Sequence, residues 1–130
     1  MNIESVTTLF QLFSGEDDTE KYQPIISLAV SETEKMLADG ADITDVRLEF
    51  LCAAIANYRL QQINAAHDRS ESTYAGKLVT SPENSGALGY AEKLLADYMN
   101  LCSGLIKPRT FVFMSFGSET EVQENAQNGS

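Results

Sequence analysis

The run Leu51–Ile63, LCAAIANYRLQQI, decides how the rest of the chain is read. Leu51, Cys52, Ala53, Ala54, Ile55 and Ala56 follow one another without a strongly polar side chain. A helix built from them has no wet face. The run is too short to cross a bilayer, which takes about 18 apolar residues, and its far end is polar. Such a helix has to be surrounded by its own chain or by copies of itself.

The surrounding sequence, TDVRLEFLCAAIANYRLQQINAAH at residues 44–67, contains neither Gly nor Pro, so the helix continues on both sides. Val46, Leu48, Phe50, Leu51, Ala54, Ile55, Tyr58, Leu60 and Ile63 cover more than one narrow stripe. Ala53, Ala54 and Ala56 allow neighbouring backbones to approach closely. Asp42 and Thr44 are both suitable N-caps for this central helix.

On the N-terminal side, SVTTLFQLFSGEDD places Leu9, Phe10, Leu12 and Phe13 before Gly15. A glycine takes the positive φ that closes a helix at little cost, so a short aromatic helix ending at Gly15 is expected. In residues 17–40, Tyr22, Ile25, Ile26, Leu28, Ala29, Thr33, Met36 and Leu37 recur at steps of three and four, marking a second helix. Pro24 is tolerated only in a first turn, which puts the start between Thr19 and Gln23. Gly40 is the expected stop.

Beyond the central helix, DRSESTYAGKLVTSPENSG (residues 68–86) breaks the helical period, and residues 74–80 could form a short strand or an ordered loop. Ser81-Pro82-Glu83 reads as the start of a last helix; a start near Ser85 is the alternative. Leu88, Ala91, Leu94, Leu95, Tyr98, Met99, Cys102 and Ile106 form its apolar side, and Gly104 and Pro108 end it. Then RTFVFMSF alternates Phe111, Phe113 and Ser115 with Val112, Met114 and Phe116, both sets largely apolar, as a strand at residues 110–116 covered on both faces would. This strand could pair internally with residues 74–80, its exposed Phe side contacting a neighbour, or extend an edge onto another copy. The expected fold is mainly α: a small bundle of three long helices plus a short N-terminal helix, with a minor β element. Residues 1–117 make the domain and residues 118–130 a polar tail.

Composition excludes several classes. At 130 residues the chain is one domain's worth, and it can bury roughly two thirds of its unfolded surface. The net charge of −10 and the lack of any Lys/Arg run argue against a nucleic-acid surface. Residues 1–50 carry eleven acids against three bases, so the acidic surface lies mainly there. Cys52 and Cys102 have no metal-ligand spacing and read as small buried hydrophobes of a reducing cytosol. The first residues lack a basic n-region and an apolar h-region, so an intracellular protein without a signal peptide is expected.

Chemical constellations are sparse. His67 belongs to no triad or ligand motif and reads as a histidine at a helix C-terminus. Glu16, Asp17, Asp18 and Glu20 lack the glycine and bidentate glutamate of a calcium loop and read as helix-capping acids. Glu32 and Glu34 diverge on a helix, and Gly76, Gly86 and Gly89 do not make a phosphate loop. Neither catalysis nor a cofactor or metal is indicated. Arg47 and Arg59 lie on the otherwise apolar central helix. Either each snorkels its charge into water, or both pair with a neighbouring subunit's acids, Asp17 and Asp18 among them. Phe111, Phe113 and Phe116 complete the candidate interface.

The order of elements resembles that of tailed-phage head–tail connector proteins. The residues that carry the likeness are FQLFSGE, the helix beginning near Pro24, RLEFLCAAIANYRLQQ, the excursion with Gly76, the last helix and FVFMSF, together spanning residues 5–117. The resemblance implies a structural virion protein of a phage or prophage, made in the bacterial host cytoplasm. It would form an oligomeric ring between portal and tail and extend the DNA channel after packaging. Its partners would be itself, the portal protein and tail or stopper proteins. DNA would be a passing polymer repelled by acidic walls, and neither a membrane nor a small-molecule substrate is implied. The rival from another class is a small acidic helical adaptor or regulatory protein that binds one protein partner. A small terminase subunit would want a helix-turn-helix and a basic surface, and neither is present.

Overall fold

In a computed structural model, the backbone of residues 1–74 and 82–108 and the side chains of residues 1–68 and 86–108 are described. Four helices follow in order: α1 (Ile3–Ser14), α2 (Gln23–Met36), α3 (Val46–Tyr74) and α4 (Pro82–Leu101). A 3-10 turn, Glu20–Tyr22, leads into α2. The fold is a mainly α bundle, as the periodicity predicts.

Local chemistry sets most boundaries. Asn2 Oδ1 accepts from the backbone N–H of Glu4 (2.9 Å) and Ser5 (3.2 Å), satisfying two donors at the start of α1. Gly15 closes α1 at φ 77°, its N–H donating to Gln11 O at 2.8 Å. Pro24 lies in the first turn of α2, where its missing N–H costs nothing. Pro82 begins α4, so of the two sequence-based starts the Ser81-Pro82 one holds.

Four boundaries differ from expectation, one being the end of α4, which stops at Leu101 ahead of Gly104 and leaves Ile106 outside the helix. Helix α2 stops at Met36 rather than at Gly40, because Leu37 turns extended (φ −63°, ψ 133°). Leu37 forms an antiparallel bridge with Ile106, Ala38 N–H donates to Leu105 O at 3.0 Å, and Lys107 N–H to Met36 O at 2.7 Å. A tertiary strap thus takes over backbone groups that another helical turn would have used. Gly40, at φ 80°, then turns the chain towards α3. The residue capping α3 is Asp45, whose Oδ1 accepts from Arg47 N–H at 2.9 Å. Asp42 instead shapes the preceding turn, accepting from the N–H and hydroxyl of Thr44. Finally, α3 continues to Tyr74, so that residue is helical rather than the first of a strand. Residues 75–80 and 110–116, the rest of the expected β element, lie outside the described residues, as does the 118–130 tail.

Helix α3 is the axis of the bundle, and α1, α2 and α4 all pack on it. Every residue from Leu51 to Tyr58 is buried. Ala53, Ala54 and Ala56 are fully covered, as close approach of the companion helices requires. Val6 and Phe10 of α1, Ile26, Ala29 and Met36 of α2, and Ala91, Leu95 and Met99 of α4 complete the core with Cys102 and Ile106. Each fully buried Leu, Ile or Phe contributes about 1.5–3 kcal/mol. Phe13, Phe50 and Tyr98 tie α1, α3 and α4 together, with ring centroids 5.5–6.5 Å apart.

Candidate functional site

Three companions do not enclose α3 evenly. Between the C-terminal end of α1 and the middle of α4 a cleft of about 460 Å³ opens onto α3. Phe13 and Ser14 form one wall, Tyr90, Leu94 and Asp97 the other, and Asn57 and Gln61 the floor. Tyr90 is 76% exposed on the cleft's lip, and α1 carries Leu12 at 72% exposure.

The floor of the cleft is polar. Asn57 and Gln61 are one helical turn apart and are the only side-chain amides in the buried set of described residues. Gln61 donates Nε2–H to Asn57 Oδ1 at 3.1 Å, while its Oε1 accepts from Asn64 Nδ2 at 3.5 Å. That orientation leaves the Asn57 Nδ2 group without an acceptor among the described residues. None of their polar side-chain atoms is both shut off from solvent and unpartnered, so this amide opens to the cleft. A residue only 4% exposed therefore offers a spare donor to whatever occupies the seam.

The two arginines lie elsewhere. Arg47 makes a two-pronged contact with Asp45, Nε at 3.0 Å and Nη2 at 2.8 Å. Hydrogen bonds from the Arg47 side chain and backbone hold the Asp45 carboxyl down at about 2. Arg59 reaches from α3 to α2, with Nη2 2.5 Å from Glu32 Oε2 and Nε 3.3 Å from Oε1. Both cations thus have acids of their own chain. Asp17 and Asp18 are exposed near the end of α1 and contact neither arginine. Phe111, Phe113 and Phe116 lie outside the described residues. His67 is exposed and sits roughly two turns before the end of α3, so it is not the C-terminal histidine that the shorter helix implied.

Chemically reactive groups are muffled. Burial pushes the Cys52 thiol up to about 12 and the Cys102 thiol to about 11. Cys102 Sγ–H donates to Arg47 O at 3.3 Å. Burial also raises the Tyr58 hydroxyl to about 12, and Gln62 Nε2 donates to its oxygen at 3.2 Å. Among the described residues no three His, Cys, Asp or Glu side chains are grouped to hold a metal. No described helix is long and apolar enough to cross a membrane. What the arrangement can do is bind: apolar walls, an amide donor on the floor, and one charge of each sign, Lys93 and Asp97, on the α4 rim.

The cleft residues went unnoticed in the sequence because Asn57 and Gln61 look like interruptions of an apolar run. Their spacing of one turn is the signal that could have found the open side. No protein-family model matches the chain, and neither a curated protein nor a solved structure does so.

Proposed function

We propose that the chain is a structural subunit of a phage or prophage virion, assembling into a ring between portal and tail. The observation that carries this reading is a recess beside α4 on one side of the bundle and an exposed leucine on the opposite side. On one side lies the cleft with Tyr90; on the other, Leu28 projects from α2 at 49% exposure. A subunit with two different contact faces joins head to tail, and such contacts close into rings when the rotation permits. The order of elements from FQLFSGE to FVFMSF supports the same reading through its resemblance to that of head–tail connectors. The portal protein and a tail or stopper protein would occupy the two ends of the ring. The exposed acids Asp17 and Asp18 would keep passing DNA from adhering.

An adaptor that binds one partner uses only one of these faces. The two roles separate in the phage or prophage that encodes the chain. Deleting its gene should leave DNA-filled heads and free tails that fail to join. Normal tailed particles after deletion would contradict the proposal.

A further inference from the structure

The seam in the α3 sheath and the exposed leucine of α2 fit one another. Asn57 on the cleft floor and Arg59, which reaches Glu32 of α2, are two residues apart on α3, about 200° around its axis. The cleft and α2 therefore flank opposite sides of α3. On α2, Leu28 is likewise two residues from the buried Ile26, about 200° away from it, so it faces outward. The subunit thus carries a recess with apolar walls and a polar floor on one side, and an exposed leucine on the other.

The charges share a register. Lys35 lies seven residues beyond Leu28, and Asp97 lies seven beyond Tyr90, in each case about 10 Å along the helix. Lys35, Lys93 and Asp97 are in no ion pair among the described residues. Laying α2 of one copy parallel to α4 of another, with Leu28 beside Tyr90 and Leu94, brings Lys35 to Asp97. Ser27 and Ser31, both exposed, flank Leu28 and offer hydroxyl acceptors to the spare Asn57 amide.

We infer that the α1–α4 cleft receives the outer face of α2 from a second copy of this chain. Leu28 seats between Tyr90 and Leu94, and Lys35 pairs with Asp97. The inference rests on the ring-subunit reading and specifies which faces meet. Because the two faces differ, the contact repeats in one direction around an assembly and is not a two-fold dimer.

The test is sedimentation of the full chain over a wide concentration range, with Leu28→Glu, Lys35→Glu, Asp97→Lys and the Lys35→Glu/Asp97→Lys pair compared. All three positions are exposed, and circular dichroism checks that each of the four variants folds. Leu28→Glu and each single charge change should weaken self-association at least tenfold, while the paired swap should restore it most of the way. Oligomers that persist in Leu28→Glu, or a swap that fails to restore what the singles lose, overturn this pairing and leave the ring reading standing. A wild-type chain that stays monomeric at every concentration overturns both.

Discussion

Arg59 of α3 and Glu32 of α2 meet across the bundle with Nη2 and Oε2 2.5 Å apart. About a quarter or less of either side chain is exposed, so the contact is shielded from bulk water on most sides. It ties α2 to α3 alongside the apolar contacts of Ile26, Ala29 and Met36. A partly covered pair of this kind is worth about 1 kcal/mol, more than a typical surface pair. Glu32→Gln or Arg59→Met should lower unfolding free energy by that order in urea titrations. No change in either variant would mean that apolar packing alone positions α2.

The heart of the molecule is α3, and truncating it should be severe. Leu51→Ala and Ile55→Ala each remove a fully buried branched side chain, with an expected loss of about 2–5 kcal/mol. Against a total of about 5–15 kcal/mol, either change brings the fold close to failure. Ala54→Leu tests the opposite limit. Overpacking at a fully buried alanine should cost about 1–3 kcal/mol by the same chemical denaturation assay.

Acid should weaken the start of α3 through Asp45. Its carboxyl is lowered from 3.8 to about 2 by the hydrogen bonds from Arg47. A depressed folded-state value means that the stabilisation is fully present above about pH 4 and disappears as pH falls through about 2. Asp45→Asn should remove that part of the acid dependence, measured by thermal melts between neutral pH and pH 2. An unchanged acid profile would show that the Arg47 contact does not persist in solution.

Both thiols should be inert while the protein is folded. With Cys52 at about 12 and Cys102 at about 11, almost no thiolate exists at pH 8. A thiol-reactive dye should label neither residue in native buffer and both in denaturant. Rapid native labelling of Cys52 would mean that α3 opens far more often than its burial implies.

The acidic turn after α1 supplies a functional prediction. Asp17→Lys with Asp18→Lys replaces two exposed acids by bases. In the ring reading this should slow genome ejection from particles that otherwise assemble normally, followed by dye release. Ejection at the unaltered rate would remove these residues from the channel.

Much of this architecture could be read from the chain because local and tertiary preferences agree there. Gly15 closes α1, Pro24 opens α2 and Pro82 opens α4 for reasons contained within a few residues. The unbroken apolar run from Leu51 announced a helix covered on every side. The end of α2 was not legible, because the Leu37–Ile106 bridge joins residues far apart in sequence. Nor was the length of α3, since the polar segment beyond His67 has no stripe to reveal it. Asn57 and Gln61, one turn apart, marked an open side of α3 in the sequence, but which helices flank it is set by tertiary packing. Arg47 and Arg59 looked available to a neighbour because Asp45 and Glu32 became their partners through folding.

Native mass spectrometry of the intact chain across increasing concentration tests the central claim most directly. A ring-forming subunit with two unlike faces predicts one closed species of fixed stoichiometry above the dimer. Monomers alone, or a two-fold dimer as the terminal species, would contradict it.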